Sequence, residues 1–251
     1  MIRKLHKLFF LFVFTALLST PVWSDETAES AVLTPHRAEY RVKISVLSGR
    51  LRTELRRSGD RYVATHLIEP TGLAGAFASG DILAESEFEV SEDAIIPLRY
   101  TGNDEVSSDK LRVDIAFDWD AGRATGQFQT DEDPEPVDVD SPLEDLVHDP
   151  VSIQYELMTD LARDSSTSEY VLFEHDRVRE VEISRIGTQR VKTKAGTFDA
   201  IGVRHQARNS SRATTLWIAA ELGYLPVMIE RHRKGKLQMR AKLEKYEPTS
   251  G

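Results

Sequence analysis

The chain has 251 residues, a formal net charge of −9 and no cysteine. The missing thiol excludes disulfides, thiolate metal sites and a bacterial lipoprotein N-terminus. The acidic balance repels phosphate backbones and anionic lipid surfaces, which argues against nucleic acid as a partner, while the length suffices for one large β domain with an adequate core.

A basic start with Arg3, Lys4 and Lys7 precedes the apolar run Leu8–Leu18, in which Thr15 is the one polar residue. Pro21 follows, and Val22 and Ser24 supply the small side chains that a signal peptidase accepts before Asp25. This order predicts a cleaved export signal over residues 1–24, because an uncleaved anchor needs about 20 apolar residues. A periplasmic protein without a stable membrane anchor is the expected product. Residues 25–34 are polar and without periodicity, so they read as a flexible leader.

Residues 35–247 read as a single β domain, followed by a short tail at 248–251. Tyr40, Val42, Ile44 and Val46 alternate with Arg41, Lys43 and Ser45. Ile82, Ala84, Phe88 and Val90 share one parity, and Glu85, Glu87 and Glu89 hold the other. The same period recurs in Leu111–Phe117, around Val181 and Ile183, and in Leu237–Leu243. Such alternation marks strands with one dry face and one wet face. Turn residues at Gly59, Gly122, Gly196 and Gly235 join them too tightly for parallel crossovers. The expected fold is mainly β: a single antiparallel, strongly curved sheet, half-barrel to open barrel, of about eleven to thirteen strands.

Three segments depart from this rhythm. Thr71–Gly80 is rich in glycine and alanine around Leu73 and Phe77, which suits a flap or a broad hairpin end. Thr130–Asp145 is acidic and proline-rich; a calcium loop is one reading, but the glycine and glutamate positions of an EF-hand are missing, so a solvated connector is preferred. Asp149 then caps, and Pro150 opens, one internal helix near residues 150–162. Its apolar positions Val151, Ile153, Tyr155, Leu157, Met158 and Leu161 cover about half the circumference, more than a helix on a flat sheet requires. An enclosed helix in the hollow of the sheet is expected.

Signals for chemistry are weak. No histidines recur at zinc-ligand spacing, so no metal site is expected. His66 and His205 share parity with apolar neighbours and are expected to face the interior. Ser152 beside His148 and Asp149 suggests a hydrolase, yet no G-x-S-x-G elbow is present, and no catalytic residue or cofactor is assigned.

The residues Asp149–Tyr155 (DPVSIQY), Lys194–Asp199 (KAGTFD), Leu216–Ile218 and Leu225–Val227 occur in an order that resembles the bacterial domain of unknown function 3108 family, over roughly residues 35–246. That resemblance implies secreted envelope proteins of Gram-negative bacteria. It also implies a curved half-barrel with an internal helix, similar to lipoprotein carriers, and no assigned activity. Combined with one-sided strands, an apolar helix and an apolar flap, it leads to an expected non-enzymatic carrier of a lipid or acyl chain. Leu73, Phe77, Val151, Tyr155, Met158 and Trp217 are its candidate ligand-binding residues. The alternatives are an envelope protein–protein interaction module with a fully packed core and, behind it, a hydrolase acting on envelope components.

Overall fold

The structure, a computed structural model, describes residues 33–249 apart from 73–74, 76–79, 92–93, 108–109 and 208–209. The expected signal over 1–24 and the flap residues Leu73 and Phe77 lie outside the described residues. The first half of the chain forms β1 (His36–Ile44), β2 (Leu47–Ser58), β3 (Arg61–Thr71), β4 (Ile82–Val90), β5 (Ile95–Asp104), β6 (Leu111–Asp118), β7 (Arg123–Thr130) and β8 (Val137–Pro142). A helix, α1 (Ser152–Ala162), separates these from β9 (Glu169–Phe173), β10 (Val178–Lys192), β11 (Thr197–Ala207), β12 (Arg212–Ala219), β13 (Leu225–Arg233) and β14 (Lys236–Pro248).

All fourteen strands among the described residues belong to one sheet, in the order β8 to β1 and then β14 to β9. Each half is a meander of neighbouring antiparallel strands, as the short turns require. The halves are joined where β1 pairs with β14, from His36 opposite Pro248 to Lys43 opposite Arg240. The sheet does not close: β8 and β9 are its edges. The segment ahead of α1 runs along the β9 edge, where the His148 N–H donates to Val171 O at 2.8 Å and Phe173 N donates to His148 O at 2.8 Å. Those two bonds satisfy part of a row of backbone groups that an open edge would leave free.

The count exceeds the expected eleven to thirteen. One strand lies inside the acidic run read as a connector: Val137 and Val139 alternate with Asp138 and Asp140, and β8 pairs with β7 from Val137 to Pro142. Two apolar residues per strand are too few to stand out against so many carboxylates.

Alternation holds in most strands. In β1, His36, Ala38, Tyr40 and Val42 are buried and Arg37 and Arg41 exposed; in β6, Val113, Ile115 and Phe117 are buried between exposed neighbours. The buried face lines the hollow, and α1 sits in it with eight of its eleven residues buried. Val151, Tyr155 and Met158 join the main core with Leu55, Phe88 and Ile95, and Leu157 and Leu161 form a second cluster with Val203, Leu216 and Ile218. The helix therefore touches both halves of the sheet, as its wide apolar stripe implies.

Candidate functional site

The DPVSIQY segment anchors the helix through carboxylate chemistry. The Asp149 side chain accepts hydrogen bonds from Val151 N at 2.8 Å and Ser152 N at 2.9 Å, and Ser152 Oγ accepts from Asp149 N at 2.9 Å. This reciprocal pair satisfies donors that a helix N-terminus otherwise leaves open. Ser86 Oγ on β4 donates to the other Asp149 oxygen at 2.6 Å, fixing the helix start to the sheet. Burial pushes the Asp149 carboxyl up, and these hydrogen bonds oppose it. One turn on, Glu156 accepts from Ile95 N of β5 at 2.6 Å, and burial pushes its carboxyl up to about 7. Asp160 accepts from the buried Tyr170 hydroxyl. Asp149 and Ser152 are thus a capping device, and His148 beside them pairs through its backbone with β9.

Tyr155 reaches from the helix into the sheet. Its ring is fully buried and lies 5.4 Å from the Phe88 ring, 6.4 Å from His36 and 6.5 Å from His66. Register explains why there is room for it. Ala38, Thr53, His66, Ala84 and Gly102 stand opposite one another in successive strands, so His66 is the one large side chain in a row of small ones. His36 lies in the adjacent row, opposite Leu55.

The polar atoms gathered here are buried without hydrogen-bond partners: Tyr155 Oη, His36 Nε2 and His66 Nε2. Their protonation is fixed by the surroundings. His36 Nδ1 lies 2.9 Å from the Thr34 carbonyl, so Nδ1 carries the proton and Nε2 presents a lone pair. Burial lowers the His36 imidazole, and burial plus the neighbouring His36 push His66 down to about 4. Burial raises the Tyr155 phenol, which stays protonated. The group is uncharged: a hydroxyl donor, the His36 acceptor and the neutral His66 imidazole within apolar walls. Such a set can hydrogen-bond a hydroxyl, ester or amide. It offers no counter-charge to a carboxylate or ammonium, whose burial would be costly.

An open cleft of about 390 Å³ adjoins the C-terminal end of the helix, lined by Leu157, Leu161, Ile183 and Val203 together with Asp160 and Arg185. Arg185 donates to Asp164 at 3.1 Å in the same lining.

Of the expected ligand residues, Val151, Tyr155 and Met158 come together in the main core. Trp217 is only half-buried and packs at the margin of that core. Its neighbours Leu216 and Ile218 face α1, while the Trp217 ring lies over Gly202, where a Cβ would meet it at 2.7 Å. Trp217 Nε1 donates to Glu230 Oε2 at 3.3 Å, and Glu230 is held by Arg240. Strand alternation therefore sets Trp217 on the sheet face away from the helix. His66 faces the interior as expected; His205 is half-buried, and burial with the nearby Arg231 pushes it down to about 4. His36 was not singled out from the sequence, although its shared parity with Tyr40 and Val42 marks it as interior.

Residues 37–242 match a family described as protein of unknown function (DUF3108). No curated protein matches the chain. A crystal structure of a β-barrel-like protein of domain of unknown function DUF1849 from Brucella abortus superposes with a TM-score of 0.55 at 15% identity, covering 87% of this chain and 99% of that one. At that identity the likeness shows the fold alone. A protein with a YmcC-like fold from Bacteroides fragilis gives a TM-score of 0.35 at 12% identity, over 86% of this chain and 96% of its own.

Proposed function

The chain belongs to the DUF3108 family of proteins of unknown function, and from that premise we propose that it is a non-enzymatic periplasmic carrier of an apolar ligand bearing an uncharged polar group. The observation that carries this reading is the set of unpartnered buried atoms Tyr155 Oη, His36 Nε2 and His66 Nε2 beneath an apolar helix. Each unpaired buried polar atom costs about 1–3 kcal/mol, a cost that a ligand hydroxyl or carbonyl removes. The ligand enters as the helix lifts, from the cleft beside Leu157 and Leu161. Met158 and Val151 then cover its apolar part, and Tyr155 meets its polar end.

The export signal read from residues 1–24 supports the location, and the absence of a cysteine supports release from the membrane. A second reading, an interaction module with a packed core, draws on the burial of α1 on nearly all sides. One experiment separates them. Protein purified without detergent is extracted into organic solvent, and the extract is analysed by mass spectrometry beside that from Tyr155→Phe. The carrier reading expects a neutral lipid-like species in the wild-type extract, reduced about tenfold in the variant, as loss of one hydrogen bond implies. A clean wild-type extract, together with no binding of an apolar dye, supports the packed module instead.

A further inference from the structure

Exposed apolar side chains are unevenly placed. Among the described residues the large ones are Ile44, Val46, Leu47, Leu83, Val178, Ile186 and Leu237, and four of these seven lie at one end of the sheet. Ile44, Val46 and Leu47 form the β1–β2 turn, where Ser45 has φ 54° and Val46 is 86% exposed. Leu237 begins β14 beside the β13–β14 turn. Lys43 stands opposite Arg240, so the β1–β2 turn that carries Val46 and the start of β14 that carries Leu237 lie at the same end of the sheet.

Behind these tips the outer face is basic. Arg41 stands opposite Lys242 on one side and Arg50 on the other, and Lys43 stands opposite Arg240. Like charges directly opposed on a sheet are destabilising. Glu244 offsets Arg41 at 2.7 Å and Glu230 offsets Arg240 at 2.6 Å. Four of these cations still line one open cleft of about 240 Å³, and Arg233, Lys234 and Lys236 add to them at the neighbouring turn. The net charge of −9 is an average that conceals this gathering.

Apolar tips projecting beyond a patch of cations match the two layers of a membrane surface, acyl boundary below and phosphate above. We propose that this end of the sheet docks reversibly on an anionic lipid bilayer. Ile44, Val46, Leu47 and Leu237 enter the headgroup boundary, and Lys43, Lys236 and Arg240 face the lipid phosphates. The charge complementarity selects anionic lipid over a neutral surface.

The test is vesicle co-sedimentation of the full chain, with phosphatidylcholine alone and with equal parts phosphatidylcholine and phosphatidylglycerol. Wild type is expected to bind the anionic vesicles preferentially and to be released by salt. Val46→Asp with Leu237→Asp is expected to lower the partition about tenfold or more, and Lys43→Glu with Lys236→Glu to do the same and erase the lipid preference. All four side chains are exposed, and an unchanged circular dichroism melt confirms folding. Equal binding to both vesicles, or binding indifferent to both pairs because the apolar N-terminal run mediates it, overturns the proposal. Salt-sensitive self-association abolished by the same pairs overturns it too, in favour of a second copy of the chain.

Discussion

Removing a single oxygen atom tests the interior site most directly. Tyr155→Phe keeps the ring contacts with Phe88, His36 and His66 and deletes a hydroxyl that is fully buried without a partner. An unsatisfied buried hydroxyl costs about 1–3 kcal/mol. The small void left behind returns only about 0.3 kcal/mol, at roughly 24 cal/mol per Å³ for an oxygen-sized gap. The ligand-free variant should therefore be more stable than wild type by about 1–2 kcal/mol, while the ligand-bound variant loses the stabilisation that its hydrogen bond supplied. Both proteins are stripped by unfolding in guanidinium and refolding, then compared by urea denaturation followed by far-ultraviolet circular dichroism. For a chain of this size, 1 kcal/mol corresponds to about 2–4 °C in Tm. If the stripped variant is instead less stable by 1 kcal/mol or more (about the worth of one made hydrogen bond), the hydroxyl is satisfied without a ligand and the site argument is refuted.

Asp149→Ala removes the acceptor for Val151 N, Ser152 N and Ser86 Oγ, so it should cost about 3 kcal/mol in urea denaturation; Asp149→Asn, which keeps one acceptor oxygen, should cost about half of that. Gly202→Ala would bring a methyl group within 2.7 Å of the Trp217 ring, so it should destabilise by about 1–3 kcal/mol and leave ligand extraction unchanged, because that ring faces away from the helix. Acidification should also destabilise the protein. His66, His148 and His205 are held down to about 4 by burial, below an unfolded value of about 6.5. Their contribution is complete above the unfolded value and is lost as pH falls toward 4, by at most about 3 kcal/mol each. Glu156, raised to about 7, has the opposite sign and favours the fold at lower pH. Asp149, raised by burial, shares the sign of Glu156, and His36, lowered by burial, shares that of the other imidazoles. Four imidazoles outweigh two carboxyls, so Tm should drop between pH 6.5 and 4; a rise over that window would contradict these assignments.

Much of the architecture was legible because strand alternation is a strong local signal. The parities of β1, β4, β6 and β14 predicted which faces are dry along most of each strand, and the span of apolar positions from Val151 to Leu161 predicted a helix wrapped by the sheet. Ile44, Val46 and Leu237, expected on the dry faces, stand exposed instead, because the strands run past the core at that end. Register was not legible, and the site depends on it. That His66 falls opposite Thr53 and Ala84, with His36 one row away, follows from hairpin turns whose combined offsets no local pattern encodes. Trp217 shows the same limit from the other side. It lies next to Leu216 and Ile218 in sequence, and a single step of alternation sends it to the far face. The buried carboxylates were hidden for a different reason: Glu156 and Asp160 look like the polar side of an amphipathic helix. Only the sheet curving over that side encloses them.

Those carboxylates bear on whether the helix can leave its seat. A helix meant only to fill the hollow would bury apolar side chains all round, since replacing buried charged groups by apolar ones is often neutral or stabilising. Here Asp149, Glu156 and Asp160 are all buried along with the apolar stripe. Their hydrogen bonds to Ser86, Ile95 and Tyr170 specify one seating of the helix, but burial disfavours the charge of Asp149 and Glu156. When the helix lifts, Glu156 returns to water and recovers a cost of up to about 3 kcal/mol, judged from its rise to about 7 above the ordinary carboxylate range. Undocking therefore costs less than the buried apolar area implies. The seat that α1 occupies is specific in geometry and less costly to leave than its apolar area alone implies, which is what the proposed carrier role requires of a helix that opens for a ligand.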